Sequence, residues 1–376
     1  MKLLFVLNES SYFLSHRMAI GLDAVNRGWE VHVAAPGACP ESLNNTGIKF
    51  HSIKLSRKGS NPFYELRTIL ILYKLFKEIS PDIAHLITIK PYLYGGIAAR
   101  LARVPSVVSA VAGLGILFSS QNLKYRVLRS LLYPLFKLSL GHKSQKVIFQ
   151  NRDDRKLLLD WSVLSLEKSV IIRGSGVDLN LCPYTPEPKG VAVVSFAARL
   201  LIDKGVEVFA SASRILKERG VNVHFWLIGE PDNGNPNTVS EAQLKEWQSE
   251  GLVELLGLRN DIPELFASSN IVVLPSFYGE GLPKVLVEAA ACGRAVITTN
   301  HPGCRDAIEP DKTGILIPIK DSLALANAIE YLIDNPQIRN DMGVAGRILA
   351  ENEYAIEIIV EAHVRIYNDL LKQSGL

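Results

Sequence analysis

Two glutamates, Glu280 and Glu288, bracket the segment Pro275-Ser276-Phe277-Tyr278-Gly279-Glu280-Gly281-Leu282-Pro283-Lys284-Val285-Leu286-Val287-Glu288. An apolar run ends at Pro275, a glycine-bearing loop follows, and Pro283 suits the first turn of a helix. The N–H groups of the Gly281 to Lys284 stretch, Leu282 and the neighbours of Pro283 included, make an anion site with the positive end of that helix. At about 1.5 Å rise per residue, the two carboxylates are expected roughly 8–12 Å apart along the axis. That spacing suits opposite ends of one extended ligand better than joint action on a single atom. A diphosphate between two hydroxyl-rich sugars has this shape, with one glutamate on each sugar and the helix N–H groups on the phosphates. The competing reading makes Glu280 a solvated loop charge and Glu288 a surface helix residue.

A second cluster is Ala197-Ala198-Arg199-Leu200-Leu201-Ile202-Asp203-Lys204-Gly205. Arg199 is expected just past a strand end and Lys204 at the opening of a helix. Cations are disfavoured at a helix N-terminus unless an anion sits there. Together the two would neutralise a diphosphate and stabilise it as it departs; the bland alternative is a plain surface pair.

In the amino half, Asn8 to Ser15 follow the first apolar run, and Ser15 is placed to cap the next helix. His16 and Arg17 then fall in its first turn. Arg17 is either a clamp for an acceptor diphosphate or a solvated helix-start arginine. His85, ending a strand, either orients substrate or is a satisfied structural histidine, and Lys90 is expected to face the cleft.

These residues need strand ends and helix starts to carry them, and the chain supplies both. Apolar runs at Lys2–Leu7, Glu30–Ala35, Asp82–Ile87, Ser106–Val111, Lys146–Phe149 and Ser169–Ile172 alternate with helical periodicity at Ser15–Arg27, Pro62–Ile79, Tyr94–Arg103, Lys124–Leu140 and Asp153–Leu159. After Arg173 the glycines and prolines thicken, and a second alternation begins near Val191. The pattern predicts an α/β protein of two Rossmann-like, doubly wound domains facing a cleft. Residues 1–173 would form the amino-terminal domain, 174–189 a linker and 190–352 the carboxyl-terminal domain, with 353–376 a helix packing back across the junction.

At 376 residues the chain exceeds one ordinary core, and 48% hydrophobic with 21% charged side chains excludes a disordered or fibrous protein. Four cysteines without CxxC spacing read as free thiols rather than disulfides or a zinc site. Leu3 to Leu7 is too short for a secretory core and Val104 to Leu123 is broken by Pro105, Gly113 and Gly115, so the expectation is a soluble or peripheral protein. The net charge of +3 conceals a split: residues 1–180 carry 24 basic and 12 acidic side chains, a net +12, and the remainder 17 and 26, a net −9. The basic half is expected to face an anionic partner. Nucleic acid ranks last, because aromatics are not interleaved with the cations. Lys124 to Lys146, with Lys124, Arg126, Arg129, Lys137, Lys143 and Lys146 among Leu, Tyr and Phe, is either a basic amphipathic helix on an anionic membrane or a core helix with solvated charges.

The Glu280-x7-Glu288 motif, Arg199…Lys204-Gly205 and Gly174-Ser175-Gly176-Val177-Asp178 resemble retaining glycosyltransferases of the GT-B fold, family 4, and within it the subgroup that extends undecaprenyl-diphosphate-linked glycans. Ala112-Gly113-Leu114-Gly115, His16-Arg17-Met18 and Asp82-Ile83-Ala84-His85 with Lys90 add to the resemblance, which covers essentially the whole chain. It implies that Glu280 holds donor-sugar hydroxyls, Glu288 the ribose hydroxyls, and Arg199 and Lys204 the diphosphate. Gly281, Leu282, Pro283 and Lys284 would assist, Gly257-Leu258-Arg259-Asn260 would contact the nucleobase, and Gly229 completes the donor set. His16, Arg17, His85, Lys90, Gly113 and Gly115 would form the acceptor side. The donor implied is a UDP-sugar, with an N-acetylhexosamine as the sugar. The acceptor implied is a saccharide on undecaprenyl diphosphate, at the cytoplasmic face of the inner membrane. No cofactor and no metal are implied.

One departure stands out. Relatives often carry Thr, Glu or His just ahead of the Gly113-Leu114-Gly115 turn, whereas Ala112 can neither donate nor accept. In retaining transfer the departing phosphate oxygen can itself take the acceptor's proton. A UDP-sugar epimerase, a non-catalytic nucleotide-sugar-binding subunit and a two-carboxylate glycoside hydrolase are the competing functions. The hydrolase gives no purpose to the helix-start anion site or to Arg199 and Lys204.

Overall fold

The computed structural model describes residues 1–55, 62–115, 118 and 122–375. It divides into two units, Met1–Ser175 joined by the closing segment from Ile356, and Gly176–Ala355.

The first unit is built on strands β1 (Lys2–Val6), β2 (Glu30–Ala35), β3 (Lys49–Ser52), β4 (Ile83–Ile87), β5 (Ser106–Val111), β6 (Gln145–Phe149) and β7 (Ser169–Ile171). They pair in parallel in the order β3-β2-β1-β4-β5-β6-β7. Near-continuous apolar runs such as Leu3-Leu4-Phe5-Val6 are buried because helices cover both faces of a parallel sheet. Helices α1 (Ser10–His16), α2 (Met18–Asn26), α3 (Pro62–Ile79), α4 (Ile89–Ala102), α5 (Leu123–Ser139) and α6 (Arg152–Asp160) connect them.

The expected single helix from Ser15 is instead two, starting at Ser10 and broken at Arg17, whose φ of −135° leaves the helical region. Ser15 is therefore not a cap; its hydroxyl donates to the Ser11 carbonyl one turn back, at 2.8 Å.

The second unit repeats the plan with β8 (Ala192–Ala197), β9 (Val223–Ile228), β10 (Glu254–Gly257), β11 (Ile271–Leu274), β12 (Ala295–Thr299) and β13 (Gly314–Ile317), in the order β10-β9-β8-β11-β12-β13. Its helices are α7 (Val206–Glu218), α8 (Glu241–Ser249), α9 (Ile262–Ala267), α10 (Lys284–Ala291), α11 (Ser322–Asp334) and α12 (Pro336–Leu349). Strand order reverses between β8 and β11, the place where open α/β sheets bind ligands beyond the strand carboxyl ends.

The segment read as a linker is fastened to this second unit. Val177 and Cys182 lie in its core, and the Val177 N–H donates to the Tyr354 carbonyl at 2.8 Å. Buried Arg294 donates to the Thr185 carbonyl at 2.8 Å, and Arg339 pairs with Glu187 at 2.9 Å. The closing helix α13 runs Ile356–Ser374, because Ala350–Tyr354 form a π-helical turn and Ala355 is extended. Its Ile359, Val364, Tyr367 and Leu370 share an apolar cluster with Leu3, Phe5, Val31 and Val33 of the first unit. All four cysteines are free thiols.

Candidate active site

In the second unit the chemistry converges at the reversal of strand order. The loop after β8 carries Arg199 and Lys204, and the loop after β11 carries Glu280. Lys204 does not open α7 but closes a 3₁₀ turn, Ile202–Lys204, one residue before it. Gly205 follows with φ +84°, and a Cβ there would stand 2.3 Å from the Pro275 carbonyl oxygen. Only glycine admits that approach, and the approach brings the Lys204 turn against the end of β11.

The Lys204 ammonium consequently donates to Glu280 Oε1. Both side chains are largely shielded, 14% and 11% exposed, so the pair escapes most solvent screening. Ser276 Oγ donates to the same Glu280 oxygen at 3.1 Å, and the Phe277 N–H to the Asp203 carbonyl at 2.9 Å. The Tyr278 ring lies 5.5 Å from the Lys204 nitrogen. Gly303 closes the other side: with φ +80°, its missing Cβ would meet the Glu280 and Gly281 carbonyl oxygens at 2.6 and 2.5 Å. Ser276, Tyr278 and Gly303 were not singled out in the sequence. Ser276 directly follows Pro275, where the apolar run of the sequence ends, which is the one signal that could have found it.

Glu288 lies in α10, paired with Lys284 at 3.2 Å. Burial pushes its carboxyl up from the usual range, against the pull of Lys284. Gly281, Leu282 and Pro283 are buried ahead of that helix, Leu282 within the core. Arg199 pairs with Asp232 at 2.8 Å. Arg259 forks onto Asp261, its Nε 2.7 Å from Oδ1, while neighbouring Asn260 is exposed beyond β10. Gly229 directly follows β9 with φ +132°, where a Cβ would overlap the Ala198 carbonyl oxygen at 1.9 Å. Its smallness lets the chain leaving β9 approach the Ala198 carbonyl, one residue before Arg199.

The acceptor-side expectations fare differently. Arg17 is 1% exposed, so it is not a solvated helix-start arginine, and its Nη1 donates to the His16 carbonyl at 2.8 Å. The break between α1 and α2 turns it inward, among Tyr12, His85, His363 and Tyr367. His85 is wholly buried in mid-strand, its Nδ1 2.7 Å from the Tyr367 hydroxyl and its Nε2 buried with no hydrogen-bond partner. Burial, His363 and Arg17 together keep its imidazole neutral, well below the ordinary histidine range. His363 is likewise pushed down to about 3 by burial and Arg17. His16 stacks on Tyr12 at 4.1 Å, and Lys90 pairs with Glu65 at 2.7 Å. Gly113 and Gly115 follow β5 in left-handed conformations, φ +101° and +61°.

Residues 184–348 match the family described as Glycosyl transferases group 1, and residues 2–151 the family described as Glycosyl transferase 4-like. The two models together span most of the chain, which is a glycosyltransferase. Its two parallel-sheet units are the GT-B fold. It is 28% identical to the N,N'-diacetylbacillosaminyl-diphospho-undecaprenol alpha-1,3-N-acetylgalactosaminyltransferase of Campylobacter jejuni, over 96% of this chain and 98% of that protein. It is 26% identical to the Escherichia coli UDP-Gal:alpha-D-GlcNAc-diphosphoundecaprenol alpha-1,3-galactosyltransferase, over 82% of this chain and 80% of that one. Among solved structures, Anabaena HepE in complex with UDP-glucose superposes with a TM-score of 0.78 at 22% identity, over 99% of this chain and all of that one. This glycosyltransferase therefore carries its candidate cations and carboxylates where a GT-B sheet reverses its strand order.

Proposed function

We propose that this glycosyltransferase moves an N-acetylhexosamine from a UDP-sugar, with retention at the anomeric carbon, to a saccharide carried on undecaprenyl diphosphate. The observation that carries the donor side is the joining of Lys204 and Glu280 beside the strand-order reversal, one side chain suited to phosphate and the other to sugar hydroxyls. The acceptor class rests on the full-length likeness to the Campylobacter jejuni enzyme.

In this reading Lys204 and Arg199 stabilise the negative charge that grows on the diphosphate as its bond to the anomeric carbon breaks. The departing phosphate oxygen takes the acceptor hydroxyl's proton as the new carbon–oxygen bond forms, which asks nothing of Ala112. Glu280 orients the sugar and Glu288 the ribose, and Arg259 with Asn260 lies on the loop assigned to the base. Basic side chains take the electrostatic part that a divalent cation plays elsewhere, so EDTA leaves the rate unchanged.

The proposal places the enzyme on the anionic cytoplasmic face of the inner membrane. No helix among the described residues is long and apolar enough to cross one. On α5, Leu123, Val127 and Leu131 are 70%, 53% and 70% exposed, among Lys124, Arg126 and Arg129. Exposed leucines beside cations favour interfacial docking over a core helix. Flotation with phosphatidylglycerol vesicles tests this; protein left at the bottom of the gradient removes it.

The activity is tested with a panel of UDP-sugars on a short undecaprenyl-diphosphate-linked saccharide, read by mass spectrometry. One N-acetylhexosamine added to the lipid-linked product is expected. Free or epimerised sugar with no change in the acceptor would overturn the proposal.

A further inference from the structure

The cations assigned to the donor diphosphate are not waiting unpaired. Lys204 is held by Glu280, Lys284 by Glu288, and Arg199 by Asp232. Two of these carboxylates are assigned to sugar hydroxyls, but Asp232 has no such part.

Asp232 lies on the loop between β9 and α8, and its position is fixed. Its N–H donates to Thr238 Oγ1 at 2.8 Å, its carbonyl accepts from the Asn235 N–H at 2.8 Å, and its Oδ1 accepts from the Gly234 N–H at 3.3 Å. The remaining carboxylate oxygen, Oδ2, accepts from Arg199 Nη1 at 2.8 Å. The same loop grips the turn that presents both cations. Asn237 Nδ2 donates to Asp203 Oδ2 at 2.7 Å, the Ile202 N–H donates to the Asn237 carbonyl at 2.8 Å, and Val239 N–H donates to the Leu200 carbonyl at 2.9 Å.

We propose that Asp232 is a positioning residue that stands in for the donor phosphate, holding the Arg199 guanidinium until a nucleoside diphosphate displaces it. The inference rests on the assignment of Arg199 to the diphosphate. An aspartate oxygen offers the guanidinium the same charge-assisted acceptor that a phosphate oxygen does. It therefore preorganises the cation, while charging every incoming phosphate the loss of one ion pair. A ligand without a phosphate on the guanidinium leaves the pair intact and bears none of that loss.

The test measures binding of UDP, UMP and uridine to the full chain by calorimetry, at several salt concentrations. Asp232→Asn should tighten UDP roughly two- to fivefold, the range that a half-exposed ion pair commands. The variant should also steepen the salt dependence, tighten UMP by no more than UDP and leave uridine unchanged, which a merely structural loop residue would not do. Asp232→Glu, which keeps the charge, should restore the original affinities. Asp232→Ser gives the same reading should the asparagine variant fold poorly. The gain must vanish in an Arg199→Gln background. If Arg199→Gln weakens UDP but Asp232→Asn does not tighten it, the stand-in role fails alone. If Arg199→Gln leaves UDP affinity untouched, the assignment of Arg199 fails, and this inference with it.

Discussion

The Lys204 ammonium and the Glu280 carboxylate meet across the ends of β8 and β11, although 76 residues of chain separate them. Neither belongs to an α-helix or a strand, and the contact exists because Gly205 has no side chain to keep the two loops apart.

Lys204→Ala and Glu280→Ala should each lower kcat by about two orders of magnitude or more, the scale of removing a preorganised charge from the reacting centre. The double variant should lose little beyond the worse single one, since the residues act as a unit. Steady-state kinetics on the three proteins checks this, with circular dichroism confirming that each folds.

Gly205→Ala should destabilise the second unit by about 2 kcal/mol or more, because alanine pays for the left-handed φ and its Cβ meets the Pro275 carbonyl. Denaturant unfolding reads the loss. Activity should fall further than stability, since Lys204 is displaced from Glu280.

Glu288, raised by burial, takes up a proton at higher pH than an ordinary glutamate. The ionised form is the stronger acceptor for ribose hydroxyls, so UDP affinity should decline as pH falls, beginning above the usual carboxylate range near about 4.3. Glu288→Gln should bind UDP more weakly at neutral pH and show little of that decline. Calorimetry between pH 7 and pH 5 gives the comparison.

His85 and His363 are neutral in the folded protein and titrate near about 6.5 once unfolded. Below that pH the unfolded chain binds protons that the folded chain refuses, so stability falls as pH falls. For His363 the decline runs down to about 3, at most about 1.4 kcal/mol per pH unit for each histidine. Unfolding of the native chain and of His363→Gln from pH 7 to pH 5 should show a shallower slope in the variant.

Much of the fold was legible because buried parallel strands are written as continuous apolar runs, and the carboxyl-half site because Glu280, Arg199 and Lys204 follow such runs directly. β3, Lys-Phe-His-Ser, was not read, for it is a short edge strand whose residues are half-exposed and polar. β13, Gly-Ile-Leu-Ile, is four residues long between Thr313 and Pro318, too little to show a period. The burial of Arg17 was equally hidden. A basic residue after a strand reads as surface, and only the helix break and the arrival of α13 from the other end of the chain enclose it. The ion pairs were illegible for the same reason: Asp232 and Arg199 are 33 residues apart, joined by β9 rather than by any local spacing.

The most direct test is a crystal structure of the full chain with UDP. The pyrophosphate should lie against Arg199, Lys204 and the start of α10, with the ribose hydroxyls on Glu288 and Arg199 released from Asp232. A pyrophosphate bound anywhere else, with Lys204 still closed on Glu280 and the α10 start untouched, would contradict the account.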